Sequence, residues 1–333
     1  MDYQGFIARE PAGFFRGVAR ESLRGRGGTA LWAGFIYTIL LEIPILIFDS
    51  MFGQRVSFSE LMGRYQSFDP SGINEIYGND TFVTLPSGIS GLYTFFTTAA
   101  FSLGIAIFVI HILRRSEAGI ELIFAGFGNY FRSLGVMILI GLINLAVILV
   151  FGIIAVFMFM SGNYILMGLT GFLMLGMAVV LVIVNLIYGL SYYILADNPK
   201  IGIVECLRTS RLMMKGNKGS LFILHLTFIG WGLLYLVAAF TIGVIIGFLS
   251  FGVSELIANI IASAVAALGA GILIVYFMTA EAAFYERVSG ISSGMFNLSG
   301  ANEYNGNNDN NILNKNPGQI PDGNQDSDRN ENR

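Results

Sequence analysis

The chain has 333 residues, of which 54% are hydrophobic and only 12% are charged, and its formal net charge is −3 at pH 7. Soluble domains carry about 25% charged residues, so this composition excludes a chain whose whole surface faces water. The single cysteine, Cys206, also excludes an intramolecular disulfide. The composition therefore indicates an integral membrane protein.

Residues 1–28 form a polar, arginine-rich segment, predicted to be a cytoplasmic amphipathic N-terminal region. Its length and charge argue against a cleavable signal peptide, so the apolar run that follows is expected to stay as a membrane anchor. Arg16, Arg20 and Arg24 recur every four residues, which places them on one face of a helix. Such a helix is expected to lie in the headgroup plane, with its cations near anionic lipid phosphates.

Six apolar runs follow, each long enough to cross a bilayer as a helix, since about 20 mostly apolar residues span the hydrocarbon. A run such as Val136–Met160 is apolar on every side, which is typical of a helix and not of a barrel strand. The chain is therefore predicted to be all-α, with a six-helix membrane domain over residues 29–287. The six runs are 29–48, 88–113, 133–160, 164–195, 219–250 and 252–284.

Four polar side chains inside these runs are candidate intramembrane sites. They are Glu42, Asn144, Asn185 and Asn259. Glu42 lies two residues before Pro44, so a helix kink capped by the carboxylate is its structural explanation. Interhelical amide hydrogen bonds would explain the asparagines. The alternative is a polar site for a transported solute.

Two polar regions lie outside the runs. Residues 49–87 are predicted to form the one long external loop, of irregular structure. Residues 288–333 are predicted to be a disordered, Asn-rich cytoplasmic tail, because twelve asparagines and few large apolar side chains fall within residues 297–333.

The lysines and arginines between the runs predict the orientation of the chain. Segments 1–28, 114–132 and 196–218 carry five, three and five of them, whereas the 49–87 loop carries two and the two short turns carry none. Because cytoplasmic loops are enriched in lysine and arginine, both termini are predicted to be cytoplasmic, in a bacterial cell membrane.

An internal repeat is visible around these basic segments. Runs one, three and five follow glycine-rich basic knots that end at Gly28, Arg132 and Gly219. Runs two, four and six end in similar sequences, HILRRSEAGI, YYILADNPKIG and AAFYERVSGI. The pattern predicts three hairpin repeats, near residues 10–115, 116–200 and 201–287, each with a short amphipathic interfacial helix.

The densest basic segment precedes the fifth run. Arg208, Arg211, Lys215 and Lys218 are spaced three, four and three residues apart, which places them on one helix face. They are interpreted as orienting and anchoring this end, or as a specific site for an anionic headgroup or a protein partner. Cys206 beside them is interpreted as a small apolar residue, with palmitoylation as the alternative.

Catalytic signatures are absent from the sequence, which contains no HExxH, no Walker loop and no Cys/His set with zinc spacing. It also lacks a nucleic-acid-binding signature. The chain is therefore predicted to be no enzyme and to need no cofactor or metal. Its leading function is a membrane component that contacts anionic lipid or a protein partner; the alternative is a small-solute transporter or permease.

Four motifs occur in a fixed order in the second half of the chain. They are YILADNP at Tyr193–Pro199, SRLMMKGNK at Ser210–Lys218, FIGWGLL at Phe228–Leu234 and AAFY at Ala282–Tyr285. In these motifs the chain resembles the bacterial integral membrane proteins grouped as domain of unknown function 975. The resemblance implies a multi-helix inner-membrane protein and supplies no catalytic residues. Two departures, a wider FIGW-to-AAFY spacing and the lack of a proline near Tyr276, imply a longer final hairpin.

Overall fold

The computed structural model describes residues 6–57, 82–249 and 255–290. Apart from two short strands the described elements are helical. The strands pair antiparallel, with Gln54 opposite Leu85. In chain order the elements are α1 (Ala12–Leu23), α2 (Gly27–Phe52), β1 (Gln54–Ser57), β2 (Phe82–Leu85), α3 (Gly88–Leu113), a 3-10 helix (Ile120–Asn129), α4 (Tyr130–Met160), α5 (Tyr164–Tyr188), α6 (Ser191–Asp197), α7 (Ile203–Met213), α8 (Lys218–Leu249) and α9 (Glu255–Ser289).

Six of these helical stretches are long and apolar enough to cross a membrane, as expected of a multi-pass membrane protein. They are α2, α3, α4 with the preceding 3-10 helix, α5 with α6, α8 and α9. Each predicted run begins within three residues of its helix. The six-helix part of the fold prediction is therefore confirmed by length and composition.

The predicted external loop is shorter than residues 49–87. Helix α2 continues to Phe52, where the N–H of Gly53 donates to the carbonyl of Asp49 at 2.9 Å. The Asp49 carboxylate accepts the N–H of Ser87 at 2.7 Å, so it joins the end of α2 to the start of α3. Most of the loop and the predicted tail, at residues 58–81 and 291–333, lie outside the described residues.

The buried core lies at one end of the bundle, where α3, α6 and α9 finish and where α1, the 3-10 helix and α7 pack; we call this the basic end. Its largest fully buried side chains come from different elements. Examples are Phe15, Ile123, Tyr193, Met214 and Phe284, each no more than 1% exposed. The short helices are therefore part of the core and do not lie loosely beside it.

Away from the basic end, the helices present bare apolar surface. Phe157, Phe172, Phe240 and Phe248 are each at least 73% exposed. Contiguous exposed surface of this kind is rare on soluble monomers and is what lipid tails cover in membrane proteins. The distribution of burial thus separates an apolar, outward-facing half from a packed basic end.

A close contact between helix backbones joins α2 to α9. A Cβ atom at Gly34 would overlap the carbonyl of Gly271, so the two backbones touch where both residues lack a side chain. Ala267, one turn away on α9, is fully buried. This agrees with the small-residue packing typical of membrane helices, which lets backbones approach closely.

Pro44 interrupts the hydrogen bonds of α2 without leaving a free carbonyl. Proline has no N–H, so it cannot donate to the carbonyl of Leu40 four residues earlier. The Tyr93 hydroxyl of α3 donates to that carbonyl instead. The proline thus ties the first membrane helix to the second.

Two of the three knots share one backbone feature. Gly25, after α1, has a φ of 80°, and Gly216, after α7, has a φ of 83°. Only glycine adopts this left-handed conformation readily, which explains its place between a short helix and a long one. The knot near Gly126 differs, because there the 3-10 helix runs directly into α4.

Candidate functional site

Two of the three candidate arginines, Arg16 and Arg20, lie on the outer side of α1, whose other side is buried, and Arg24 directly follows this helix. Arg20 and Arg24 are exposed, and Arg16 is half-buried. On the opposite side Phe15 is fully buried and meets the ring of Phe284 edge-on at 5.3 Å between centroids. One side of α1 is therefore buried, and Arg16 and Arg20 lie on its other side.

The four candidate cations of the second basic segment are all exposed. Arg208 and Arg211 lie on α7, Lys215 follows it, and Lys218 begins α8. Within the described part of the chain, none of the four forms an ion pair. An uncompensated cluster of this kind can attract an anionic surface, a phosphate or an acidic partner.

Cys206 points away from these cations, into the core. Its side chain is fully buried and its thiol donates to the carbonyl of Ser191 at 3.1 Å. Burial raises the pKa of the thiol to about 12. Of the two interpretations of this residue, the small apolar core residue fits this environment and palmitoylation does not.

A groove of about 960 Å³ connects the α1 arginines to the membrane helices. Arg16, Arg20 and Arg24 line one end of it. Its walls come from α2, α8 and α9 and are mainly apolar. The wall residues include Leu31, Trp231, Leu234, Ala238, Ile272 and Leu273. Pockets for small ligands have volumes of roughly 300–1,000 Å³, so the groove is at the large end of that range.

Three of the four candidate intramembrane residues bond between helices. The Glu42 carboxylate of α2 accepts the hydroxyl of Ser263 on α9 at 2.8 Å. The Asn144 amide of α4 donates to the Asn185 amide oxygen of α5 at 3.4 Å. Asn259 is exposed and has no partner among the described residues. None of the four lines the groove.

The basic end also holds an ionic cluster that no motif predicted. Arg114, just after α3, contacts Asp197 at the end of α6 at 2.6 Å and Glu286 near the end of α9 at 2.7 Å. The Tyr285 hydroxyl donates to Asp197 at 2.8 Å. Burial acts to lower the pKa of the Arg114 guanidinium, but the hydrogen bonds and charges of both carboxylates outweigh it and raise that pKa.

These three charges come from the three similar sequences that end runs two, four and six. HILRRSEAGI contributes Arg114, YYILADNPKIG contributes Asp197 and AAFYERVSGI contributes Glu286. The likeness of these three sequences was a usable signal, because each of them supplies one charge of the cluster. The cluster joins three membrane helices at one point.

A second polar cluster lies nearby, around Glu281 of α9. Its carboxylate accepts the hydroxyl of Tyr193 at 3.0 Å and lies 3.0 Å from the Nε2 atom of His225 on α8. Glu281 is 8% exposed and Tyr193 is 1% exposed. The cluster therefore links α6, α8 and α9 through buried hydrogen bonds, which makes it a structural bridge.

Asn217, in the third knot, binds the start of the chain. Its amide oxygen accepts the N–H of Ala8 at 2.9 Å, and its amide nitrogen donates to the carbonyls of Phe6 at 2.9 Å and Met213 at 2.7 Å. Asn217 is fully buried. A salt bridge of 2.5 Å between Glu10 and Arg287 holds the same segment to α9.

Across the described ranges, no group of three or more His, Cys, Asp or Glu side chains could hold a metal ion. The exposed and groove-lining arginines are instead suited to binding an anion. Guanidinium groups present several donors to a phosphate at once, so they bind it more specifically than a point charge does.

Most of the chain matches a known protein family. The sequence profile of the family described as Protein of unknown function (DUF975) matches residues 15–292, which is well over half of the chain. No curated protein matches the chain, and no solved structure matches it either. The four ordered motifs, from Tyr193 to Tyr285, all fall inside the matched range. The chain therefore belongs to the DUF975 family of proteins of unknown function.

Proposed function

We propose that this protein is a non-enzymatic membrane component that contacts anionic lipid headgroups, or an acidic protein partner, through its basic helices α1 and α7. One observation carries the proposal. Both helices are fixed to the core on one side, through Phe15 and Cys206, and present cations on the other. A rigid basic surface loses little conformational entropy when it binds an anion.

The proposal includes the finer architecture of the protein, three hairpin repeats with interfacial helices. Two observations support this architecture. Gly25 and Gly216 have the same left-handed backbone conformation. The three charges of the Arg114 cluster come from the three similar sequences that end runs two, four and six. It also includes an orientation in which the basic end faces the cytoplasm of a bacterial cell, supported by the uneven distribution of cations between the loops.

The placement of the polar residues supports lipid contact over solute transport. Arg16, Arg20 and Arg24 line the groove, whereas Glu42 and Asn144 do not line it and are bonded to neighbouring helices. A permease would need its polar groups around a shared mid-membrane cavity.

Lipid retention tests the proposal directly. The purified protein, exchanged into a mixture of phosphatidylglycerol and phosphatidylcholine, is expected to retain phosphatidylglycerol preferentially in native mass spectrometry. Replacing all seven cations with glutamine should remove most of this preference, since each cation near an anionic surface contributes about 1 kcal/mol. The seven are Arg16, Arg20, Arg24, Arg208, Arg211, Lys215 and Lys218.

The matched control is the double variant R9Q/K200Q, which removes two exposed cations outside both helices. It should retain the preference of the natural protein. Equal retention of the two lipids by the natural protein, or an unchanged preference in the seven-cation variant, would contradict lipid contact.

A further inference from the structure

The groove between α1, α2, α8 and α9 presents cations and apolar surface in the order in which a phospholipid presents phosphate and acyl chains. Arg16, Arg20 and Arg24 lie at one end. Beyond them, Leu234 and Ile272 line the walls from α8 and α9. This order fits a membrane lipid if the arginines lie at the level of the headgroups and the apolar walls lie in the hydrocarbon.

Helix lengths give the first estimate of that depth. The 32 residues of α8 and the 35 residues of α9 are about 48 and 52 Å long at 1.5 Å per residue. The hydrocarbon layer is only about 30 Å thick, so each helix projects well beyond it. The projecting part is at the basic end, because there the helices are covered by the core and carry the buried polar cluster around Glu281.

The two tryptophans give the second estimate. Trp32 and Trp231 are 52% and 54% exposed. Trp231 lines the groove, and so does Leu31, the neighbour of Trp32. Tryptophan is enriched where the hydrocarbon meets the headgroups. Because Trp231 shares the lining of the groove with Arg16, Arg20 and Arg24, these arginines are at headgroup level and the apolar walls are in the hydrocarbon.

The charges in the groove favour an anion. The Nε atom of Arg16 is buried and has no hydrogen-bond partner among the described residues, which is uncommon for a buried donor. Among the described residues that line the groove, Glu21 is the one acid, and it lies 3.7 Å from Arg24 and 3.8 Å from Arg115. Three arginines therefore face the groove with one partly compensated carboxylate.

The second basic segment is placed differently. Lys218 precedes Trp231 by thirteen residues of α8, which is about 20 Å along the helix. At physiological ionic strength, charges are screened over about 8 Å, so the α7 cations contribute little to holding a phosphate on Arg16, Arg20 and Arg24. They provide a basic surface of similar size outside the groove, and hence a control.

We propose that this groove is a binding site for one anionic phospholipid of the adjacent leaflet, with its phosphate on Arg16, Arg20 and Arg24 and an acyl chain along Leu234 and Ile272. The inference rests on the proposed function and narrows it to one site. The apolar walls select a membrane lipid over free phosphate, because an acyl chain packs along them and a free ion cannot.

Fluorescence quenching by brominated lipids tests the site. In the W32F variant, Trp231 is the one remaining tryptophan, and it reports from inside the groove. In bilayers of fixed composition, brominated phosphatidylglycerol is expected to quench Trp231 more strongly than brominated phosphatidylcholine does. Adding R20Q/R24Q should lower the relative binding constant by about fivefold per arginine removed. Both arginines are exposed, so these substitutions leave the core intact.

The control adds R208Q/R211Q/K215Q/K218Q to W32F and should leave the quenching preference unchanged. Three outcomes would each overturn the site. Both lipids could quench Trp231 equally, or every lipid could quench it weakly because another segment covers the groove. The third is a preference for brominated phosphatidylglycerol that survives R20Q/R24Q. If the mass-spectrometric preference is present but depends on the α7 cations alone, lipid contact stands and the groove site falls.

Discussion

Arg114 and Asp197, 83 residues apart, meet in a two-point ion pair. One guanidinium nitrogen lies 2.6 Å from one carboxylate oxygen, and a second nitrogen donates to the other oxygen at 2.9 Å. The remaining Nε–H donates to the buried carboxylate of Glu286 at 2.7 Å. One side chain thus fixes the ends of three helices, which gives it a larger structural role than its position in a loop implies.

Replacing Arg114 with glutamine is expected to destabilise the protein by about 2 kcal/mol. This loss lies between the free-energy costs of breaking an exposed and a buried ion pair, because the Arg114 side chain is about one-third exposed. R114K keeps the charge but loses the planar fork, so it should recover only part of this. The apparent melting temperature in detergent measures both. R115Q is the matched control, because the contact of Arg115 with Glu21 is 3.8 Å long and half exposed. An equal loss in R115Q would contradict a special role for Arg114.

The N217A variant is expected to release the start of the chain. It removes the hydrogen bonds to Phe6 and Ala8, each contributing about 1 kcal/mol, so the locally open population should rise about tenfold or more. Limited trypsin digestion of the natural chain and the variant, followed at the bond after Arg9, measures this opening.

The control for this release is K218Q, which changes the exposed neighbour of Asn217 and should digest at the natural rate. Unchanged cleavage after Arg9 in N217A would contradict a holding role for Asn217, and would leave the segment to the Glu10–Arg287 salt bridge and the bond from the Ser220 hydroxyl to the Ala8 carbonyl.

The G34A variant is expected to lose about 1–3 kcal/mol of stability, as overpacked cores do, because the added methyl group would overlap the backbone of Gly271. The measurement is again the apparent melting temperature in detergent. G141A in α4 is the control: its Cβ would meet nothing within 4 Å, and alanine favours helix over glycine. A melting temperature of G34A equal to that of G141A would rule out the close contact of α2 with α9.

Cys206 is expected to resist N-ethylmaleimide in the folded protein and to react fully after denaturation. Burial blocks access to the thiol, and a pKa of about 12 leaves almost no thiolate at neutral pH. Mass spectrometry counts the added label, with V204C in a C206A background as the control, because Val204 lies on the same helix and is 72% exposed. Rapid labelling of native Cys206 would contradict its place in the core.

The membrane helices were predictable because lipid imposes one strong rule on sequence. Each crossing needs a continuous apolar run. The run 88–113 coincides with α3, and the run that starts at Tyr164 begins with α5. Exact ends were harder to predict. Helix α9 continues to Ser289 because its last turns are buried by the core instead of by lipid, and those turns include Glu281 and Glu286.

The contacts at the basic end could not be read from local patterns. Asn217 looked like part of a glycine-rich turn, and its partners Phe6 and Ala8 are more than 200 residues away. The groove likewise needs α1, α8 and α9 in their final places before Arg16 and Trp231 share a lining. Spacing along one helix predicted which arginines share a face, but not which surface that face meets.

The hydrogen bond between Ala8 and Asn217 can form only late in the synthesis of the chain. Ribosomes add about 5–20 residues per second, so residue 8 waits roughly 10–40 seconds before residue 217 is made. During that interval four membrane helices are already synthesised, while α1 lacks the α8 and α9 surfaces against which it packs. Closure of the basic end is therefore a late, post-insertion step, and a chain truncated before α9 would expose Phe15 and become a target for quality-control proteases.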